Sequence, residues 1–334
     1  MSVADNSATA DNRAACSDAD SSEAPAAAAL SQSRLVAYCA ALGAAPFLLV
    51  LLGFLIAPTS WAVRHSGNTY LANVGYATKL KNANCDVVIY GDSSAMVGLD
   101  PAIIRQRTGL STCNIAEFAG MTMVSGLLIP ELYLRNNRAP KIWVFDFAPE
   151  NLAPFAKWET VGRYEAILFR IRDRRDLSTA LLLAEHPAEA INFSALALRL
   201  ALQGFLRPAL PASTFAIRSE HDGYLPVPGA RLKACSPERR ERPSDPDYIQ
   251  FLRSRFGADG AQVLVDTTPV PACEPTFDFY AKANPAPTDN RIEAYQLEDF
   301  TGSGRLHMSP SGVAKFSNLV SDQIVARLKI AATQ

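Results

Sequence analysis

A serine that directly follows a buried strand is the feature of the sequence with the clearest chemical meaning. The apolar run 87–90 leads into Gly91-Asp92-Ser93-Ser94, a turn of small residues. A serine that ends a strand and opens a helix presents its hydroxyl and its backbone N–H to the same space. A serine hydroxyl is a poor nucleophile near neutral pH, so it needs a base and donors for the developing oxyanion. Ser93 is therefore a candidate nucleophile whose partners must come from elsewhere in the chain.

Two other positions match these needs. His307 precedes Ser309-Pro310, the predicted cap of the last helix, and can reach Ser93 if the final strand packs into the same sheet. Gly120 ends a second predicted strand, and without a side chain it lets another backbone N–H approach closely. The alternatives are an ordinary turn at Gly91 and a loop histidine bonded to backbone. The remaining histidines, which have no motif around them, are His65, His186 and His221.

The composition favours one main α/β domain and excludes several classes of function. The chain has 334 residues, 49% of them hydrophobic, and a net charge of −1. That balance gives no argument for nucleic-acid binding. The sequence contains no metal-ligand spacing, phosphate-binding glycine loop or basic stripe. We therefore expect no metal, no cofactor and no nucleic-acid partner.

The N-terminal part of the sequence predicts a membrane anchor. Residues 1–34 are rich in Ala, Ser, Asp and Asn, which predicts a disordered tail. Residues 35–57 carry no charge and, at ~1.5 Å per residue, are long enough to cross the roughly 30 Å hydrocarbon core. A buried core helix and a cleaved signal peptide are the alternatives to a transmembrane helix. Residues 58–84 are expected to form a membrane-proximal linker.

Charge and cysteines give opposing indications of membrane orientation. Arg34 lies on one side of the apolar segment, and Arg64, Lys79 and Lys81 lie on the other, which slightly opposes export of the C-terminal domain. The cysteines favour export, because their number in the globular part is even. These cysteines are Cys85, Cys113, Cys235 and Cys273.

The cysteine positions also suggest a pairing. Cys85 precedes Gly91 by six residues and Cys113 precedes Gly120 by seven. If both glycines end neighbouring parallel strands, these cysteines lie at a similar level of the sheet and can form a disulfide bond. Cys235 and Cys273 are then the second pair. The alternative is four reduced, buried cysteines; we favour disulfides and an oxidising compartment.

From Cys85 onward, strand and helix patterns alternate, which is typical of a mostly parallel sheet with helices between the strands. A helical pattern at 122–136 is expected to kink at Pro130, and 152–232 reads as a helical insertion lying over the sheet or close to the membrane. The α/β domain is expected to span 85–330. Predicted strands occupy 87–90, 114–118, 141–147, 261–266 and 291–297.

Two helix starts are predicted from a capping residue followed by proline, at Asp100-Pro101 and at Ser244 or Asp245 before Pro246. The last helix is expected to be amphipathic, with one apolar stripe formed by Val313, Phe316, Val320, Ile324 and Leu328.

These features together resemble the SGNH, or GDSL-like, hydrolase superfamily. Gly91-Asp92-Ser93 matches the first block of that family, Gly120 the glycine of the second, and His307-Met308-Ser309-Pro310 the block of the catalytic histidine. The resemblance implies a three-layer α/β sandwich of SGNH or flavodoxin-like type. It also implies Ser93 as nucleophile, His307 as base, and an oxyanion hole built from the N–H groups of Ser93 and Gly120.

The sequence departs from the family pattern at two points. The family usually has an aspartate three residues before the histidine, where this chain has Gly304. Asp299 is the nearest acidic substitute, and a Ser-His dyad with a backbone carbonyl is the alternative. Asn151 follows the third strand and is a candidate for the family's oxyanion-binding asparagine, although the residues around it differ.

The resemblance implies a membrane-anchored serine esterase or O-acyl(acetyl)transferase that forms an acyl-enzyme on Ser93. The expected location of this domain is extracytoplasmic, periplasmic if the source is bacterial. The expected partners are the membrane, an acyl-ester or polysaccharide substrate at the cell surface, and other envelope or polysaccharide-modifying proteins. The alternative from another class is a degenerate SGNH-like domain that binds glycan or serves as a scaffold in a membrane assembly.

Overall fold

The computed structural model describes residues 32–65, 67–153, 165–173, 175, 177–206, 214–237, 240–283 and 288–333. The predicted disordered tail therefore lies almost wholly outside the described residues. The chain divides into two compact units, Met1–Pro46 and Phe47–Gln334. The second unit contains the sheet and all the candidate site residues.

The described elements alternate between strands and helices after an initial helical segment. The strands are β1 (Val87–Gly91), β2 (Thr112–Asn114), β3 (Ile142–Phe147), β4 (Gln262–Thr267), β5 (Val270–Pro271) and β6 (Ala294–Tyr295). The helices before β3 are α1 (Gln32–Ile56), α2 (Ser60–His65), α3 (Thr69–Lys79), α4 (Ser93–Gly98), α5 (Pro101–Thr108), α6 (Ala119–Ser125) and α7 (Leu128–Asn136). Those after it are α8 (Glu165–Asp173), α9 (Leu177–Glu185), α10 (Pro187–Leu206), α11 (Thr214–Glu220), α12 (Pro246–Gly257), α13 (Pro275–Asp278) and α14 (Pro310–Thr333).

The main sheet has four parallel strands in the order β2-β1-β3-β4. Gly91 at the end of β1 pairs with Asp146 of β3, and Asp146 pairs with Asp266 of β4. The carboxyl ends of three strands therefore lie side by side. The Gly-Asp-Ser turn lies at this edge, where open parallel sheets generally bind their ligands.

Alternate residues of the strands enter two hydrophobic clusters on opposite faces of the sheet. Val88, Tyr90 and Phe145 belong to one cluster, which also takes in α12. Ile89 and Val144 belong to the other, together with the buried stripe of α14. Both faces are covered, which explains why the strands are apolar runs without polar alternation. The predicted α14 stripe is confirmed at Val313, Phe316, Val320 and Ile324.

Several predicted elements are confirmed with small changes at their ends. β1, β3 and β4 lie where the sequence places them. Asp100 caps α5 by accepting a hydrogen bond from Ala102 N, and α5 ends at Gly109 with φ 74°. Asp245 caps α12 in the same way. Cap residues followed by proline were therefore reliable signals in this chain.

Three local predictions are wrong. The second strand is Thr112–Asn114 instead of 114–118, because the Asn114 side chain accepts from Ala116 N and turns the chain away. The helical pattern 122–136 breaks at Gly126, with φ 54°, and Pro130 sits in the first turn of α7, where no backbone N–H is needed. The predicted strand 291–297 contributes only β6, which pairs with β5 in a separate small sheet.

The apolar segment near the N-terminus forms one continuous helix, α1, which is long and apolar enough to cross a membrane. Its C-terminal part packs against the helical insertion. The rings of Phe54 and Phe193 lie 4.8 Å apart, and Gly53 lies so close to the backbone of Leu198 in α10 that a Cβ there would be 2.9 Å from its nitrogen. Residues 58–84, expected to be a linker, instead contain α2 and α3, and α3 is largely buried.

The described part of the predicted insertion, 152–232, is largely helical and is tied to the sheet by a buried arginine. The guanidinium of Arg218 in α11 is fully buried. It donates to the carbonyl oxygens of Asn114 and Gly223, each at 2.7 Å. Asn114 ends β2, and its amide also donates to Ala95 O and Leu99 O of the α4 segment. The insertion, β2 and the helix opened by Ser93 are therefore connected.

Two disulfide bonds are present, with the predicted pairing. Cys85 is bonded to Cys113, with their Cα atoms 5.9 Å apart, and joins the start of β1 to β2. Cys235 is bonded to Cys273, with Cα atoms 6.0 Å apart. The second bond holds the segment after the insertion to the loop that follows β5. Both bonds fit an oxidising compartment.

Candidate active site

Ser93 is the first residue of α4 and follows the strand end directly. Asp92 is the N-cap of α4, where its Oδ1 accepts from the Ser94 backbone N–H at 2.9 Å. The Ser93 side chain is half-buried and has no hydrogen-bond partner among the described residues. The nucleophile predicted from the sequence is thus accessible, and its backbone is fixed by the cap of the residue before it.

A close contact between strands explains the glycine before this turn. A Cβ on Gly91 would lie 1.6 Å from the carbonyl oxygen of Asp146 in β3. No side chain can occupy that space without moving one of the two strands. The family-like Gly-Asp-Ser block therefore has a packing cause that is independent of catalysis.

The loop after β2 lies beside this turn. The carbonyl oxygen of Gly91 accepts a hydrogen bond from Glu117 N at 3.1 Å and from Thr122 Oγ1 at 3.5 Å. These contacts place the start of α6, which contains Gly120, next to the strand that leads to Ser93. Within the described part of the chain, neither the Ser93 N–H nor the Gly120 N–H donates a hydrogen bond. Both donors remain open for a developing negative charge.

His307 lies in the loop before α14 with its ring packed directly on Gly304. A Cβ at Gly304 would be 2.4 Å from the imidazole Cε1 and 2.5 Å from Nδ1. Ser303 Oγ lies 3.4 Å from Nδ1, at the outer limit of a hydrogen bond. The next residue, Met308, faces Gly98 at the end of α4. The position where the family carries its acid is therefore covered by the histidine ring itself.

The electrostatics of His307 connect it to the Gly-Asp-Ser turn. Burial lowers the pKa of His307, and the negative charge of Asp92 partly opposes this by raising it. The residue adjacent to Ser93 is thus close enough to influence the imidazole. No hydrogen bond joins Ser93 to His307 within the described structure. Catalytic hydrogen bonds are often long or absent before substrate binds, so the lack of this bond is no evidence against His307 as a base.

Asp299, the predicted substitute for the missing acid, is not placed against the histidine. Its buried carboxylate accepts from Ser311 Oγ at 3.0 Å and from Lys315 Nζ at 2.6 Å. These partners lie at the start of α14, and the described contacts of Asp299 include none with the His307 ring. The carboxylate therefore fixes the start of α14, and the orienting role predicted for it is not supported.

Asn151, the predicted additional oxyanion donor, contacts the carboxylate next to the nucleophile. Its Nδ2 donates to Asp92 Oδ2 at 2.6 Å, and Ala148 N donates to the same oxygen at 3.0 Å. The side chain therefore reaches the expected region after β3. There it holds the carboxylate of Asp92, the residue before the candidate nucleophile.

Sequence reasoning missed the groups that surround Asp92. Ser94 Oγ donates to Asp92 Oδ1 at 2.5 Å, and Thr268 and the buried Asp146 lie immediately behind Ser94. The charge of Asp92 also acts on Arg305, which pairs with Glu150 and with Glu274 Oε2 at 3.2 Å. One signal could have revealed part of this set. Asp146 interrupts an otherwise apolar strand, and an aspartate is rarely fully buried unless it has a partner.

Replacement of Gly304 by alanine is expected to reduce activity without a large loss of stability. The added methyl group must displace the imidazole from its present position, and a misplacement of about 1 Å can cost about 10²-fold in rate. The measurement is kcat/KM of Gly304→Ala with an activated acetyl ester. Gly302→Ala is the matched control, because the nearest atom to its new methyl group, Ala230 O, is 3.8 Å away. Equal activity in both variants would contradict the assigned ring position.

The described residues contain no cluster of three or more His, Cys, Asp or Glu side chains that could hold a metal ion. Comparison of the chain with protein-family models, with curated proteins and with solved structures gives no match in any of the three.

Proposed function

We propose that the chain is a membrane-anchored serine esterase or O-acyltransferase of SGNH-like type, acting on an acyl ester or a polysaccharide at the cell surface. The observation that supports this most is that Ser93 opens α4 at the carboxyl edge of a parallel sheet, where the charge of its neighbour Asp92 acts on the His307 imidazole. The N–H groups of Ser93 and Gly120 donate no hydrogen bond to the described residues. The substrate class rests on the resemblance of the Gly-Asp-Ser, glycine and histidine blocks.

The arrangement of the sheet supports the same proposal. Hydrophobic clusters on both faces of the sheet fit a three-layer SGNH or flavodoxin-like sandwich. The nucleophile follows β1, the glycine follows β2, and the histidine precedes the last helix. This order along the chain is the one that the SGNH resemblance implies.

The proposed mechanism has two halves. Ser93 Oγ attacks the acyl carbonyl while His307 takes the hydroxyl proton, and the N–H groups of Ser93 and Gly120 hold the oxyanion. His307 then gives the proton to the leaving oxygen, and an acyl-enzyme remains on Ser93. Water or a sugar hydroxyl next attacks the acyl group, with His307 acting as base again. The charge of Asp92, which raises the pKa of His307, stabilises the imidazolium in each half.

The proposed location is extracytoplasmic, with α1 as a single-pass anchor. Two disulfide bonds in the α/β unit support an oxidising compartment. The packing of α10 against the last turns of α1 would keep the domain close to the membrane surface. Such a position suits a substrate that is itself part of the cell surface.

The second candidate function is that of a non-catalytic glycan-binding or scaffold domain. It is favoured by the glycine at 304 and by the missing hydrogen bond between Ser93 and His307. Pre-steady-state kinetics with an activated acetyl ester separate the two candidates. A burst of leaving group equal to the amount of protein supports the acyl-enzyme, and faster turnover with added oligosaccharide supports transfer over hydrolysis. A folded chain that gives no burst would support the scaffold.

Activity is expected to extend to more acid pH than an ordinary histidine base allows. The base must be neutral to accept a proton. Burial is the larger influence and lowers the pKa of His307, while the charge of Asp92 partly opposes it. The acidic limb of kcat/KM should therefore lie below pH of about 6.5. In Asp92→Asn, which keeps a capping side chain, the limb should move to still lower pH. A limb above that value, or one that does not move in the variant, would count against His307 as the base.

A further inference from the structure

A continuous chain of side-chain oxygens runs from the nucleophile turn into the sheet. Asp92 Oδ1 lies 2.5 Å from Ser94 Oγ, which lies 2.6 Å from Thr268 Oγ1, which lies 2.8 Å from Asp146 Oδ2. All four side chains are buried, with relative exposures of 1% or less. They lie at the ends of β1, β3 and β4, so the chain of oxygens crosses the carboxyl edge of the sheet.

The number of protons in this chain of oxygens is decisive. It contains three short oxygen–oxygen contacts but only two hydroxyl groups, those of Ser94 and Thr268. Each hydroxyl supplies one hydrogen, so two ionised carboxylates would leave one contact without a hydrogen. Two oxygen lone pairs would then face each other in a buried site. A third proton, carried by Asp92 or by Asp146, satisfies every contact.

The surroundings of the two carboxyl groups differ sharply. Both oxygens of Asp92 receive hydrogen bonds from backbone or amide N–H groups, those of Ser94, Ala148 and Asn151. From the described residues Asp146 receives none of this kind, and its Oδ1 has no hydrogen-bond partner among them although the residue is fully buried. A buried carboxylate without donors is costly, whereas a neutral carboxyl group is tolerated.

The surroundings of Asp146 also favour its protonated, neutral form. Burial raises the pKa of Asp146 well above its usual range, and the nearby carboxyl groups of Asp266 and Asp92 raise it further. Asp266 is itself fully buried, and burial together with Asp289 raises its pKa to about 8, against the lowering influence of Arg253 and Arg327. The hydrogen bond with Thr268 acts the other way and lowers the pKa of Asp146.

We propose that Asp146 carries the third proton and donates it to Thr268, so that the hydrogen bonds run in one direction from Asp146 through Thr268 and Ser94 to Asp92. In this state Asp146 is neutral, and Asp92 is the only negatively charged member of the chain of oxygens. Asp92 then takes the place of the acid missing at Gly304, as the fixed negative charge beside His307. This last role rests on the proposed function, whereas the protonation of Asp146 does not.

Asp146, Thr268 and Ser94 are positioning residues in this scheme, since none of them meets the substrate. No proton leaves the chain of oxygens, and each hydrogen bond polarises the next toward Asp92. The serine proton still moves only between Ser93, His307 and the leaving group.

Infrared spectroscopy of the full chain in detergent micelles, with the aspartate carboxyl groups labelled with ¹³C, tests the protonation directly. At neutral pH we expect a carbonyl band of protonated aspartic acid that shifts with the label. In Asp146→Asn the intensity of one such group should disappear, and in the matched variant Asp266→Asn the Asp146 band should remain. Absence of any protonated-aspartate band in the wild type, a result that needs no variant, would overturn the proposal, as would an unchanged band in Asp146→Asn.

The direction of the hydrogen bonds is tested at Thr268. Thr268→Val removes the acceptor of the Asp146 proton, so the Asp146 band should move to higher frequency, whereas Thr268→Ser should restore the wild-type position. An unmoved band in Thr268→Val would overturn the assigned direction. Turnover should fall about tenfold in Thr268→Val, the cost of one hydrogen bond to a charged system, and recover in Thr268→Ser. A protonated-aspartate band in a chain that forms no acyl-enzyme would reject the proposed function while leaving the proton assignment intact.

Discussion

Replacement of Ser93 by alanine is expected to reduce turnover of an activated acetyl ester by about 10⁴-fold or more, because it removes the atom that forms the acyl-enzyme. Ser93 makes no side-chain hydrogen bond to the described residues, so the folded structure should be almost unchanged. The measurements are steady-state turnover and the pre-steady-state burst, with circular dichroism as the check of folding.

The matched control for this variant is Ser219→Ala. Ser219 is exposed on α11, and among the described residues its hydroxyl donates only to Phe215 O within its own helix. Its loss should leave both burst and turnover within about twofold of wild type, as expected for a surface position. If Ser93→Ala keeps the burst, the nucleophile has been assigned to the wrong residue.

Gly91→Ala is expected to destabilise the folded domain by about 3 kcal/mol or more, because the new methyl group would overlap the Asp146 carbonyl oxygen. That atom belongs to the central strand of the sheet and cannot rotate away as a side chain would. The unfolding midpoint of the full chain in detergent, followed by circular dichroism, measures the effect.

Gly257→Ala provides the matched control for Gly91→Ala. It lies at the end of α12, where a new methyl group would meet only Val263 Cγ2 at an ordinary 3.7 Å. Alanine also favours a helix over glycine, so this variant should be neutral or slightly more stable. Equal midpoints for the two variants would show that β1 and β3 are not as close as described.

Local signals in the sequence were sufficient for the strands and caps that lead to the nucleophile. Uninterrupted apolar runs identified β1 and β3, and Asp100-Pro101 identified the start of α5, since these depend on neighbouring residues only. β2 was misplaced because its end depends on Asn114, whose side chain bonds to Ala116, Ala95 and Leu99. β6 was overextended because its partner, β5, lies in a proline-rich loop.

Part of the candidate site could also be predicted from local sequence. Ser93, Gly120 and His307 stand in recognisable blocks, so their residue types and positions along the chain indicate their roles. The support for the histidine could not be found in the same way. Asp299 is near it in sequence but bonds to Lys315, and Asp92 influences it from the opposite end of the chain. The proton on Asp146 follows only from distances across three strands.

The cysteine pairs show the favourable case. Their positions relative to Gly91 and Gly120 predicted a bridge between adjacent strands, and Val88 of β1 indeed pairs with Cys113 of β2. The pairing was right because β1 and β2 are adjacent and parallel, although Gly120 lies in α6 and does not end β2. Strand order gives no such guide to which buried carboxylate lies near a loop histidine.

Labelling of the full chain in its native membrane with a fluorophosphonate probe tests the central claim most directly, since the probe reacts only with a serine that its surroundings activate. The account predicts one adduct for each chain, located on Ser93 by mass spectrometry of peptides, absent from Ser93→Ala and strongly reduced in His307→Ala. A folded wild-type chain that takes up no probe, or one that carries it on another serine, would contradict the account.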